Sequence, residues 1–110
     1  MDYRRFQSQA QLACYTNERD AIREYDATTP ITTNPMGTFK DLDYFEWAKE
    51  MDVVSWDNYP GMDTPPSFTA MCHDLMRGIG GNKPFMLMEQ TPNQQNWFPF
   101  CKVKQPGGSA

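Results

Sequence analysis

Pro84-Phe85-Met86-Leu87-Met88-Glu89-Gln90-Thr91-Pro92 is the stretch on which the fold turns. Four apolar residues and a carboxylate stand between two prolines, which is short for a helix and right for a buried strand. A carboxylate closing such a strand just before a loop sits where barrel-type α/β enzymes keep catalytic groups. One unit upstream, Val53-Val54-Ser55-Trp56 reads as another strand. It runs into the polar end Asp57-Asn58-Tyr59 and is broken by Pro60-Gly61. Further upstream, the β-branched run Ile31-Thr32-Thr33-Asn34 reads as a third strand, from which Pro35-Met36-Gly37 turns away.

Helical patterns separate these runs. Residues 2 to about 25 contain no proline. They place Leu12, Tyr15 and Ile22 on one stripe and Phe6, Ala10, Ala13 and Ala21 on a neighbouring one. Thr29-Pro30 ends that helix, because the residue before proline is driven to extended geometry. Residues 41–51 read as an amphipathic helix with Leu42, Phe45, Ala48 and Met51 as its apolar positions. Pro65-Pro66-Ser67 opens a third helix over residues 68–77, with Ser67 or Thr64 as cap and Gly78 as the left-handed stop. The tail from Gln90 to Ala110 is polar, rich in proline and glycine, and reads as loop.

Helix and strand therefore alternate, which predicts parallel strands joined by helical crossovers. The strands are too apolar to alternate in and out, as expected where both faces are covered. Three such strands cannot close a sheet, and bare parallel edges are avoided by natural folds. A closed (β/α)8 barrel takes roughly 250 residues, and this chain has 110. The expectation is a piece of a larger α/β domain.

Composition narrows the function classes. A net charge of -4 without a basic cluster argues against nucleic acid as partner. Cys14, Cys72 and Cys101 are odd in number and widely spaced, which argues against a disulfide framework and against a zinc site. His73 adjoins Cys72, but neighbouring helical residues point about 100° apart, so the pair reads as a helix face and no metal or cofactor is expected. No apolar run approaches the ~20 residues of a membrane helix, and no signal peptide is recognisable. A cytoplasmic location is expected, or a truncated protein whose targeting signal lies elsewhere.

The polar strand ends carry the chemistry. Asn34, Asp57-Asn58-Tyr59 and Glu89 all fall on one side of a parallel sheet. Asn34 before Pro35, and Asp57-Asn58 before Pro60-Gly61, are equally ordinary turn starters. Glu89 is harder to dismiss, because a charge after four apolar residues loses hydration unless it is paired or reaches water. Trp97 and Phe98 follow in a polar loop, where an aromatic ring stacks on a sugar or packs on its own domain.

These segments resemble a known family. Ile31 to Gly37, Leu42-Asp43-Tyr44-Phe45-Glu46-Trp47 onward to Tyr59-Pro60, and Pro84 to Pro92 closely resemble the catalytic domain of glycoside hydrolase family 42, the β-galactosidases. Asp2-Tyr3-Arg4-Arg5-Phe6 and Gln94-Gln95-Asn96-Trp97 fit as well. The resemblance implies a partial (β/α)8 TIM barrel, from about helix 4 to strand 7, over residues 1–106, with 107–110 a truncated tail. It implies Glu89 as the nucleophile of a retaining β-galactosidase, Tyr59 as the residue orienting it, and Trp97 as lining the galactose subsite. Asn34 and Asp57 join them as substrate-binding candidates. The family's acid/base glutamate, in an Asn-Glu pair, has no counterpart here, so the chain alone is expected to be inactive. The implied partner is a β-galactoside, and full-length members are expected to be homo-oligomeric. Two alternatives stay open: a non-catalytic carbohydrate-interaction module, and another retaining (β/α)8 glycosidase.

Overall fold

The structure is a computed structural model that describes residues 2–90. Five elements follow in order: helix α1 (Asp2–Arg23), helix α2 (Tyr44–Glu50), strand β1 (Val54–Asn58), helix α3 (Pro66–Gly80) and strand β2 (Phe85–Gln90). β1 and β2 pair in parallel as a two-stranded sheet, with α3 as the crossover. The core gathers at this βαβ unit, where Met51, Val54, Ser55, Cys72 and Met76 are buried. His73 lies against Trp56 and Phe85, with ring centroids 5.3 and 5.4 Å away.

Local chemistry sets the boundaries. Asp43 caps α2 by accepting from the N–H groups of Phe45 and Glu46 at 3.2 and 3.3 Å. The other end of α2 leaves carbonyls without helical partners. The Lys83 ammonium takes three backbone carbonyls there: Ala48 at 2.7 Å, Lys49 at 3.1 Å and Met51 at 2.6 Å. A cation in that position also complements the helix dipole. α1 docks through Tyr15, whose ring lies 5.7 Å from that of Trp47 and whose hydroxyl donates to the Ile31 carbonyl at 3.3 Å. Leu12 is half-buried beside it, but Ile22 and Phe6 are exposed, so only part of the expected α1 stripe reaches the core.

Four other expectations are corrected. Residues 31–34 form no strand; they lie along the second edge of β1, held at the ends by Asp52 N–H to Ile31 O and Asp57 N–H to Pro35 O, both 3.0 Å. The buried face of α2 is Tyr44, Trp47 and Ala48, continued by Met51, while Phe45 is 60% exposed. A strict spacing of three residues drifts by about 60° per step on a 3.6-residue helix, so the predicted set cannot share one face. α3 ends three residues later than expected, because Gly81 and not Gly78 takes the left-handed conformation, with φ +61°. Neither Ser67 nor Thr64 caps α3; the Thr64 hydroxyl instead accepts from Gly61 N–H at 2.9 Å. The apolar strands also differ in cover: β1 is enclosed, whereas Met86 and Met88 on β2 are both exposed.

Candidate active site

Parallel pairing puts the carboxyl ends of β1 and β2 on the same side. Their register is regular over Val54–Phe85, Ser55–Met86 and Trp56–Leu87. It then slips, so that Asp57 faces Glu89 and Asn58 faces Gln90. Side chains alternate along a strand. An unslipped ladder would set Met88 beside Asp57 and Glu89 beside Asn58. The extra residue on β2 brings Glu89 to Asp57 instead, a bulge re-aiming a side chain at a strand end.

Asn34 completes the group. Its side-chain amide donates to Asp57 Oδ2 at 2.8 Å and to Glu89 Oε1 at 3.3 Å. One nitrogen with two protons thus serves two carboxylates. Beyond Pro35 the chain turns at Gly37, whose φ is +70° and where a Cβ would stand 3.1 Å from the Trp56 ring. Only glycine suits both the conformation and the close approach.

The group is open to water on one side and closed on the other. Asn34 and Glu89 are exposed, Asp57 is half-buried, and Asp57 Oδ1 is enclosed without a hydrogen-bond partner. Nearby, burial pushes the Tyr44 hydroxyl above its usual pKa, and the charge on Asp57 pushes the same way. A cleft of about 620 Å³ lies elsewhere, between α1 and the loop entering α2; its lining includes Arg4, Ser8, Asp41 and Glu46 and none of the three site residues.

Three expected site residues, Asn34, Asp57 and Glu89, come together. Tyr59, just past the end of β1, is exposed and makes no hydrogen bond to Glu89. Trp97 lies outside the described residues. The sequence reading missed the hydroxyls of Thr32 and Ser55, which join residues 31–35 to β1. Their available signal was a polar side chain inside an otherwise apolar or β-branched run. No group of three or more His, Cys, Asp or Glu able to hold a metal occurs among the described residues. No helix among them is long and apolar enough to cross a membrane.

The sequence profile of glycoside hydrolase family 42, described as beta-galactosidase, matches residues 1–110. The chain belongs to this family. Beta-galactosidase BgaA of a Planococcus species is 68% identical over 97% of the chain, and beta-galactosidase bgaB of Geobacillus kaustophilus is 41% identical over the same share. The solved β-galactosidase of Bacillus circulans sp. alkalophilus superposes with a TM-score of 0.89 at 61% identity over 98% of the chain. That of Rahnella sp. R3 gives 0.86 at 40% identity over 96%. The chain spans 16% of the length of each of these four relatives. It therefore corresponds to one part of a larger glycoside hydrolase family 42 protein.

Proposed function

We propose that this family 42 chain supplies the nucleophile half of a retaining β-galactosidase site, with Glu89 as the nucleophile. The carrying observation is the Asn34 amide held between Asp57 and Glu89 at the ends of parallel strands. Retaining glycosidases use two carboxyl groups about 5–5.5 Å apart, one attacking the anomeric carbon and one exchanging a proton with the leaving oxygen and then with water. The attacking group must be an ionised acceptor. Asp57 Oδ2 is taken by the Asn34 amide and Oδ1 is enclosed, so Asp57 has no free oxygen from which to protonate a leaving group. We assign Asp57 to orienting Asn34 and binding the sugar, and place the acid/base carboxyl elsewhere in the longer protein. A partial (β/α)8 barrel, from about helix 4 to strand 7, is the frame this reading requires; Tyr59 and Trp97 join the site once that frame is complete.

The test is a chimera in which this chain replaces the matching stretch of the Planococcus enzyme, with which it shares 68% identity. The chimera should hydrolyse a chromogenic β-galactoside, and Glu89→Gln should abolish turnover. In Glu89→Gly, azide should restore activity and yield the α-galactosyl azide, because a small external nucleophile then replaces the missing carboxylate. Turnover surviving Glu89→Gln at more than a tenth of the parent rate would overturn the assignment. Preference for another β-glycoside over the galactoside would keep the nucleophile and change the substrate. The 110-residue chain by itself should show no turnover.

A further inference from the structure

We infer that Thr32 and Ser55 are positioning residues, a pair of crossed hydroxyl clasps that holds Asn34 over the two carboxylates. This inference rests on the glycosidase reading above. Asn34 belongs to no strand, yet its amide reaches both Asp57 and Glu89. Something other than a β-ladder must therefore fix its backbone. Proline at position 35 has no N–H to offer, and the two backbone bonds to this edge of β1 lie at Ile31 and Pro35.

Between them, side chains do the joining. The Thr32 hydroxyl donates to the Val53 carbonyl at 2.5 Å. In the other direction, the Ser55 hydroxyl donates to the Thr33 carbonyl. Each hydroxyl carries one proton, and these are the shortest contacts that each makes to a carbonyl. The two hydroxyl oxygens stand 3.0 Å apart, so the two clasps lie side by side. The result is that both carbonyls flanking Asn34 are held by β1: Thr33 by Ser55, and Pro35 by the Asp57 N–H.

Burial argues that the hydroxyl at position 55 has a purpose. Ser55 is 0% exposed in an apolar core, where a hydroxyl is unfavourable unless it is bonded. An alanine would pack there without that cost. Neither hydroxyl touches the site itself; both act through the backbone on either side of Asn34.

The experiment uses the chimera, with isosteric and conservative substitutions at position 32 crossed with Asn34→Ala. Thr32→Val keeps the shape and removes the hydroxyl; it should lower kcat about tenfold with KM within about twofold of the parent. Thr32→Ser, which restores the hydroxyl, should stay within about threefold. On an Asn34→Ala background, Thr32→Val should cost less than about twofold, because coupled residues are non-additive. Ser55→Ala is the second arm and should give the same non-additivity, so a poorly folding Thr32 variant does not end the test. Full additivity in both arms, with Glu89→Gln inactive, would overturn this inference alone. Activity surviving Glu89→Gln would overturn the nucleophile assignment and this inference with it.

Discussion

Along β1, Val54 and Ser55 are sealed and Trp56 is 3% exposed, whereas Met86 and Met88 of the neighbouring β2 are each 42% exposed. The two strands belong to one sheet, and the more exposed one is the more apolar in sequence, Phe85-Met86-Leu87-Met88 against Val54-Ser55-Trp56. Their lateral neighbours differ: β1 has residues 31–35 on one edge and β2 on the other, while β2 has, among the described residues, only β1. Apolar character therefore reports what a strand is built to be covered by. It does not report what covers it in this chain. On the proposed reading, the uncovered methionines are the face that further barrel strands would bury, and the open strand is the one that carries the nucleophile.

The largest expected contrast is chemical. Glu89→Gln at the end of β2 should lower kcat of the chimera by roughly 10⁴-fold or more, as loss of one member of a catalytic set does. Asp57→Asn at the end of β1 should cost about 10- to 100-fold, since it disturbs the partner of Asn34 and leaves the nucleophile in place. Equal losses at the two positions would erase the distinction in role.

The strand bodies should show the reverse order. Trp56→Ala on the sealed strand should cost about 3–5 kcal/mol, the range for deleting a large buried aromatic. Met86→Ala on the open strand should stay within about 1 kcal/mol. Urea unfolding of the two variants of the 110-residue chain against the unsubstituted chain reads the difference, and comparable costs would show that β2 is as well covered as β1.

Smaller effects are expected at the joints of the two strands. Gly81→Ala, before β2, forces a Cβ into φ +61° and should lose about 1 kcal/mol, read as a shift in urea midpoint. Asp52, before β1, gives a pH-dependent signal. Ile31 N–H donates to its carboxylate at 2.7 Å, and this bond above all holds Asp52 below the usual carboxylate pKa; the Arg23 charge acts in the same sense. A depressed folded pKa adds stability above the unfolded value near ~4 and loses it as pH falls through the folded value. The deficit of Asp52→Asn should thus be complete near neutral pH and shrink below about pH 4. Urea midpoints of parent and variant at about pH 6 and about pH 3 should converge at the lower pH, and a constant gap would refute the linkage.

Much of the element order was legible because it is written locally. The long proline-free start, the Pro65-Pro66 opening and the apolar runs before Asp57 and Glu89 each mark their own element. Errors arose where local pattern met a distant partner. Ile31 to Asn34 looks like a strand by β-branching, but backbone bonds join this edge only at Ile31 and Pro35, and hydroxyls make the contacts between them. Phe45 looked like core, but Tyr44, Trp47, Ala48 and Met51 took that side of α2. Gly78 and Gly81 are both competent helix stops, and the helix ran on to the later one.

Sequence alone was enough for the alternation of helices and strands, for parallel pairing, for acidic residues at two strand ends and for the resemblance to family 42. All of these follow from periodicity, turn chemistry and motif, which act over a few residues. Tertiary structure alone decided that β2 slips by one residue against β1, that Glu89 thereby faces Asp57, and that Asn34 spans both. Register and bridging depend on contacts between residues as far apart as 34 and 89. No local preference encodes them, because a shift of one residue leaves every local pattern intact and moves each side chain to the other face of the sheet.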